Sequence, residues 1–334
     1  MSAEKIISDW KKNIFKPFYW LEGEEEFYID TVIDYAEHNI LTEADAAFNL
    51  TLFYGKDANW TEVVNACSRY PMFAQRQVVL LKEAQQMKDI DKLENYITNP
   101  LASTVFVVSY KGKTIDGRSK LAKIIKQNGE VLSVKKLYDN QLPGWTNEYI
   151  QSKGFTITPR ALTLLVDHIG NDLSRIANEF EKVSLNLADR KNITEDDIEK
   201  YVGISKEYNV FELQEALSNK DLAKAITIIQ YFEGNPKAAP IQMLLPALYN
   251  HFSKVLTVFQ MTDKTEKALR PMFYNNPYAA RQALETVLNY SYTGVEQTLM
   301  LLHEYNLKSV GINSIGISDA SLMKELAVKI IKHT

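Results

Sequence analysis

Two short segments of the sequence have residue types that could bind a nucleoside triphosphate. Gly112-Lys113-Thr114 matches the end of the phosphate-binding pattern G-x-x-x-x-G-K-[ST], but the first glycine of that pattern falls on Val107. Without that glycine the backbone amides cannot wrap around a phosphate. In Gly23-Glu24-Glu25-Glu26 the carboxylates would repel a triphosphate, by about 1 kcal/mol per charge pair at about 4 Å in water. We expect neither segment to bind ATP, and we keep an ATPase that uses Gly112-Lys113-Thr114 as the alternative.

No other pattern in the sequence indicates catalysis or metal binding. The apolar run 78–81 is followed by Lys82, whereas a nucleotide hydrolase needs an aspartate there to hold Mg²⁺. The five histidines show no ligand spacing, and the single cysteine, Cys67, excludes an internal disulfide and a zinc site of several thiolates. We therefore expect no catalytic residue, no metal ion and no cofactor, and a chain that is non-catalytic by itself.

A pair of large apolar residues, Met72 and Phe73, follows Pro71 in a segment of otherwise polar, turn-forming residues. Connections between elements usually lie at the surface, so the pair could be displayed as an anchor for a partner. Large apolar residues are more often buried, however, and the residues alone favour a local core plug over an anchor. At this point both interpretations stay open.

Segment 111–136 carries eight basic residues against two acidic ones. Most such segments are solvated helix faces, and contact with phosphate is the less common alternative. The candidates for contact with DNA or another subunit are Lys111, Lys113, Arg118, Lys120 and Lys123.

The overall composition is that of a globular protein. Of the 334 residues, 46% are apolar and 24% charged, which excludes disorder and suggests two or three domains. A net charge of −4 means that any contact with nucleic acid must be local. No run approaches the roughly 20 apolar residues of a membrane-spanning helix, and the amino end does not resemble a signal peptide. We expect a cytoplasmic protein that does not contact a membrane.

The first part of the chain alternates short β-branched and aromatic runs with helix-like stretches. The predicted strands are 18–21, 50–54, 78–81, 104–108 and 131–134. Several of them are continuously apolar, as in strands that are covered on both faces, and the segments between them are long enough for crossover helices. Residues 1–140 are therefore predicted to form an α/β domain with a mainly parallel sheet.

Helical periodicity takes over after residue 140. Thr158-Pro159 is typical of a helix start, and the segment 194–197 resembles a capping box. Apolar residues then recur every three or four positions as far as the end of the chain. We predict a three-helix domain over 141–207 and an all-α domain over 208–334.

Several segments, in this order and spacing, resemble the delta subunit family of bacterial DNA polymerase III clamp loaders. They are Gly23-Glu24-Glu25-Glu26-Phe27, Pro71-Met72-Phe73-Ala74 with Gln77-Val78-Val79-Leu80-Leu81, Arg118-Ser119-Lys120-Leu121, Gly170-Asn171-Asp172-Leu173-Ser174-Arg175-Ile176, Ile193-Thr194-Glu195-Asp196-Asp197-Ile198 and Phe211-Glu212-Leu213-Gln214-Glu215-Ala216-Leu217. The resemblance runs along the whole chain.

The resemblance implies an AAA+-like α/β domain without a working ATP site, a three-helix lid and a helical collar through which five loader subunits assemble. The implied partners are the sliding clamp, the motor and delta-prime subunits, and primed DNA. In this family an apolar pair at a helix tip inserts into the clamp, and here the matching residues are Met72 and Phe73, with Pro71 before them. The implied function is to bind and open the clamp within the DNA polymerase III holoenzyme, without hydrolysing ATP.

Two other kinds of loader subunit would have a similar fold. An ATP-binding motor subunit would use a degenerate phosphate loop at Gly112-Lys113-Thr114. The loader subunit that holds the motors rigid usually carries a Ser-Arg-Cys motif, which this sequence lacks, since Cys67 is followed by Ser68-Arg69 instead.

Overall fold

The structure, a computed structural model, describes residues 2–205, 208–236, 239–273, 276–312 and 316–333. The chain divides into two compact units, Met1–Tyr138 and Asp139–Thr334. The predicted division into domains at residues 140 and 207 stays a prediction.

In residues 2–138, all of which the structure describes, a parallel sheet has the strand order β2-β3-β4-β1-β5. The strands are β1 (Phe18–Gly23), β2 (Leu50–Tyr54), β3 (Gln77–Lys82), β4 (Thr104–Lys111) and β5 (Glu130–Val134). Each of them contains the run that the sequence predicted, so the parallel α/β fold is confirmed.

Helices cover both faces of this sheet. They are α1 (Ala3–Lys11), α2 (Glu26–Asn39), α3 (Glu43–Asn49), α4 (Trp60–Cys67), α5 (Glu94–Ile97) and α6 (Lys120–Asn128). Successive strand residues point to opposite faces, so Phe18 and Trp20 join a core with α4, α5 and α6, while Tyr19 and Leu21 join a second core with α1 and α2. Burial on both faces explains the continuous apolar runs of β1, β3 and β4, whereas the edge strands β2 and β5 are only partly buried.

The second unit is mainly helical. Its helices are α7 (Leu142–Ser152), α8 (Pro159–Ile169), α9 (Leu173–Asn186), α10 (Glu195–Asp197), α11 (Val210–Ser218), α12 (Leu222–Gly234), α13 (Ile241–Gln260), α14 (Glu266–Leu269), α15 (Pro277–Asn289), α16 (Tyr292–Ser309) and α17 (Asp319–His333). The predicted helix starts are confirmed, because the Thr158 hydroxyl accepts a hydrogen bond from the Ala161 amide and Thr194 forms a capping box with Asp197. A short parallel pair, β6 (Thr156–Ile157) with β7 (Asn192–Ile193), is an element that helical periodicity did not indicate.

Two apolar clusters lie within the second unit. One joins buried residues from Ile150 to Ile204, and the other joins buried residues from Val210 to Ile330. The boundary between a lid at 141–207 and a collar at 208–334 stays a prediction, and residue 207 itself lies outside the described residues.

Candidate protein-binding loop

The apolar pair predicted from the sequence, Met72 and Phe73, lies on the 68–76 loop, which connects α4 to β3. Phe73 is 98% exposed and Met72 is 54% exposed. The interpretation of the pair as a core plug is therefore wrong for this structure. Tyr70 on the same loop is 77% exposed as well, although no pattern in the sequence indicated it. Three large apolar side chains thus reach solvent from one short connection.

The pair does not lie at a helix tip, which corrects the expectation from the family resemblance. Helix α4 ends at Cys67, and the Ser68 amide donates to the Val64 carbonyl as the helix closes. Cys67 is fully buried, and burial raises the pKa of its thiol well above the usual value. From Tyr70 to Arg76 the chain is irregular, with Pro71 at its start.

Both ends of the 68–76 loop are fixed to the domain. At its start, the Gln77 carboxamide donates to the Arg69 carbonyl at 2.6 Å and to the Thr104 hydroxyl at 2.8 Å. At its end, the Arg76 guanidinium lies 3.9 Å from the centre of the Phe15 ring, a cation–π contact. The exposed side chains therefore project from a loop with fixed ends.

The middle of the loop is held by Asn49, the last residue of α3. Its carboxamide oxygen accepts from the Met72 amide at 2.7 Å, and its Nδ2 donates to the Met72 carbonyl at 2.9 Å. The next residue, Phe73, has φ = +56°, a left-handed conformation that is uncommon for a residue with a Cβ. No pattern in the sequence pointed to Asn49, because its partner is 23 residues further along the chain.

The 23–26 loop, where a nucleotide would bind in a related ATPase, lies at the carboxyl end of β1. Ligands of such sheets usually bind at this edge. Here the Gly23 amide donates to the Lys113 carbonyl at 3.2 Å, and the Glu24 amide donates to the Val134 carbonyl at 3.0 Å. A Cβ on Gly23 would lie 1.8 Å from the Val134 oxygen. Two of the amides that a phosphate could use, and the space beside Gly23, are therefore occupied by the chain itself.

Gly112-Lys113-Thr114 does not have the geometry of a phosphate-binding loop either. Such a loop leads directly into a helix, whose amino terminus binds the phosphate. Here α6 begins only at Lys120, where its N-cap, Ser119, accepts from the Ala122 amide. The Lys113 ammonium lies over the Tyr110 ring at 5.5 Å.

Most of the basic candidates for contact with DNA or another subunit have acidic partners. Lys111 lies 2.6 Å from Asp30, and Lys120 lies 2.9 Å from Glu94. Hydrogen bonds from the backbone and side chain of Arg118 lower the pKa of the Asp116 carboxyl. Lys113 and Lys123 are exposed. The structure thus partly neutralises the basic segment.

The residues that the structure describes contain no cluster of three or more metal-ligating side chains. In the same part of the chain, no helix is long and apolar enough to cross a membrane. The feature that stands out chemically in the first unit is therefore the exposed apolar pair.

Comparisons with known proteins show which proteins this chain resembles. The family model for the delta subunit of DNA polymerase III matches residues 19–135. DNA polymerase III subunit delta of Bacillus subtilis is 24% identical over 95% of this chain and 93% of its own length. A probable DNA polymerase III subunit delta of Aquifex aeolicus is 23% identical over 80% of this chain and 79% of its own length.

A solved structure has the same fold. The Bacillus subtilis DNA clamp loader delta protein superimposes with a TM-score of 0.55 and 22% identity, covering 99% of each chain. The resemblance to delta subunits of bacterial clamp loaders is thereby confirmed. The region matched by the family model includes the 23–26 loop and the 68–76 loop.

Proposed function

With the resemblance to the delta subunit of the bacterial DNA polymerase III clamp loader as the premise, we propose that this chain binds the ring-shaped sliding clamp and opens it for loading onto primed DNA. Met72 and Phe73 would insert into an apolar pocket of the clamp, with Pro71 shaping their approach. The chain would do this without hydrolysing ATP itself.

The exposure of the apolar pair is the observation that carries this proposal. Burying a side chain of this size contributes about 1.5–3 kcal/mol, and Phe73 is 98% exposed before any partner binds. A few large side chains on a fixed loop commonly supply most of the binding energy of an interface. Methionine adapts its shape to apolar pockets, which suits the first position of the pair.

Opening of the clamp would follow from differential binding. A protein that binds the open form of a ring more tightly shifts the ring towards that form, by no more than the difference between the two binding free energies. The amides of Gly23 and Glu24 already bond to carbonyls of the chain, which supports a subunit that acts through binding energy and not through ATP hydrolysis. ATP bound by neighbouring motor subunits would then decide when the apolar pair is available.

The remaining roles follow the three predicted domains. Residues 1–140 would bind the clamp, 141–207 would form the lid, and 208–334 would assemble with the motor and delta-prime subunits within the holoenzyme in the cytoplasm. Leu288 is 84% exposed and Met300 is 70% exposed, and such apolar side chains on the helical region support assembly with other subunits. The basic segment would contact DNA or a neighbouring subunit through its exposed lysines.

The test is the affinity of the purified chain for purified sliding clamp, measured by surface plasmon resonance. The double variant with Met72→Ala and Phe73→Ala should bind about a hundredfold more weakly, because it loses roughly 3 kcal/mol of apolar burial. Its thermal unfolding should not change by more than a degree or two, since both side chains are exposed.

Tyr138→Ala is the matched control, because Tyr138 is an aromatic residue of the first unit and is 77% exposed outside the loop. This variant should bind the clamp as the wild type does. Equal affinity of the double variant and the wild type would reject the assignment of this loop as the clamp-binding site.

A further inference from the structure

The backbone around the apolar pair has an internal support. We infer that Asn49 is the positioning residue of the 68–76 loop, and that its two hydrogen bonds to Met72 hold Phe73 in the orientation in which it enters the clamp. This inference rests on the proposed function, and it assigns a role to a residue that does not itself touch the partner.

The fold explains why Asn49 can reach the loop. Asn49 directly precedes β2, and the parallel register pairs Leu50 with Val78. Asn49 therefore lies beside Gln77, the residue that holds the start of the loop at the Arg69 carbonyl. Both residues lie at the amino ends of their strands, where Gln77 bonds to the start of the loop and Asn49 to its middle.

The side-chain amide of Asn49 matches this task atom by atom. The oxygen accepts from the Met72 amide, while Nδ2 donates to the Met72 carbonyl and also to the Asp45 carbonyl at 3.0 Å. Asn49 is only 2% exposed, so these bonds are shielded from water. An aspartate could accept from the amide but could not donate to either carbonyl, and a glutamine is one carbon longer.

The conformation of Phe73 indicates why such support is needed. A phenylalanine at φ = +56° is disfavoured, and such residues persist only where the surrounding structure imposes the conformation. The bonds from Asn49 fix both polar groups of Met72, the residue directly before Phe73. Without them the loop would sample other conformations, and only a fraction of the molecules would present Phe73 correctly. The apparent dissociation constant rises as that fraction falls.

The experiment combines clamp affinity with hydrogen exchange on the full chain. Asn49→Ala should bind sliding clamp about tenfold more weakly, and its Met72 amide should exchange at least tenfold faster than in the wild type. Asn128→Ala is the matched control, because Asn128 donates in the same way to a backbone carbonyl, that of Ile124, but lies on α6. Its affinity for the clamp should stay at the wild-type value.

A double-mutant cycle with Phe73→Ala separates positioning from general stability. If Asn49 acts through Phe73, the variant lacking both side chains should bind only slightly more weakly than Phe73→Ala alone, because there is no ring left to position. Independent losses that multiply would show that Asn49 acts in another way. If Asn49→Ala does not fold, Asn49→Asp takes its place in the cycle, since it keeps the size and the acceptor while losing the donor.

The outcomes distinguish this inference from the proposed function. An affinity of Asn49→Ala within twofold of the wild type, while Phe73→Ala binds weakly, overturns the inference and leaves the proposed function standing. Wild-type affinity in Phe73→Ala overturns both the inference and the role of Phe73 as an anchor in the proposed function. If the Met72 amide of the wild-type chain exchanges without protection, Asn49 does not hold the loop, and the inference fails whatever the clamp affinities are.

Discussion

The 23–26 loop lies at the carboxyl ends of the parallel strands, and the 68–76 loop lies at their amino ends. The first loop is held by its own backbone hydrogen bonds, whereas the second exposes large apolar side chains. At the carboxyl end of β1, backbone amides bond to the chain's own carbonyls, and Gly23 fits against Val134 with no room for a Cβ. At the amino end of β3, the backbone is held from behind by Asn49 and Gln77 while Phe73 is exposed.

This difference indicates which of the two loops of the first unit is available to a binding partner. At the strand ends where related sheets hold their ligand, the amides of Gly23 and Glu24 already bond to carbonyls of the chain itself. The opposite strand ends keep large apolar surface in contact with water, which is unfavourable unless a partner covers it. The contrast supports a protein that acts by binding another protein.

The largest expected effect is a loss of stability when the 23–26 loop is disrupted. Gly23→Ala places a Cβ 1.8 Å from the Val134 oxygen at φ = +131°, so we expect a loss of about 3 kcal/mol or more in the free energy of unfolding. Gly112→Ala is the control, because its φ is also positive, at +75°, but no described atom lies within 4 Å of the added Cβ. It should cost about 1 kcal/mol. Urea denaturation measures both, and equal losses would show that the 23–26 loop is not tightly closed.

A smaller effect on stability should test the left-handed conformation of Phe73 in the 68–76 loop. Phe73→Gly and Phe73→Ala both remove the ring, but only glycine adopts φ = +56° without strain. We expect the glycine variant to be more stable than the alanine variant by up to about 1 kcal/mol, part of the gain being offset by the greater freedom of the unfolded glycine chain. Thermal unfolding of the two variants gives the difference. A less stable glycine variant would contradict the left-handed conformation.

The smallest expected effect is none at all. Equilibrium dialysis with labelled ATP should detect no binding to the isolated chain, because the amides of Gly23 and Glu24 are already bonded and Gly112-Lys113-Thr114 does not begin a helix. Lys113→Ala should leave this result unchanged. Saturable ATP binding that Lys113→Ala abolishes would revive the alternative of an ATPase and remove the contrast between the two loops.

The sequence predicted the sheet well because its strands carry their signal locally. Strands such as β3 and β4 are buried on both faces, so their continuous apolar runs can be read without knowing their neighbours. The helix start at Thr158 was predictable for the same reason, since its cap and first turn are adjacent in sequence. Helices α1 and α3 were not predicted, and α3 carries Asn49.

The candidate site was predictable in its residues but not in its geometry. Met72 and Phe73 are visible as an apolar pair in a polar segment, yet composition favoured burying them, and only the structure shows them exposed. The hydrogen bonds from Asn49 to Met72 and from the Gly23 amide to the Lys113 carbonyl both join residues that are distant in sequence. Backbone carbonyls accept such bonds whatever their side chain, so the sequence carries no mark of them.

The burial of Cys67 makes the exposed loop accessible to spectroscopy. It is the only cysteine of the chain, it is fully buried, and burial raises the pKa of its thiol, so the reactive thiolate is scarce at neutral pH. A cysteine introduced at the exposed Gln75 position would therefore take up a maleimide dye selectively, with the native residue left in place. The emission of that dye would report, in real time, the moment at which the neighbouring aromatic ring leaves water.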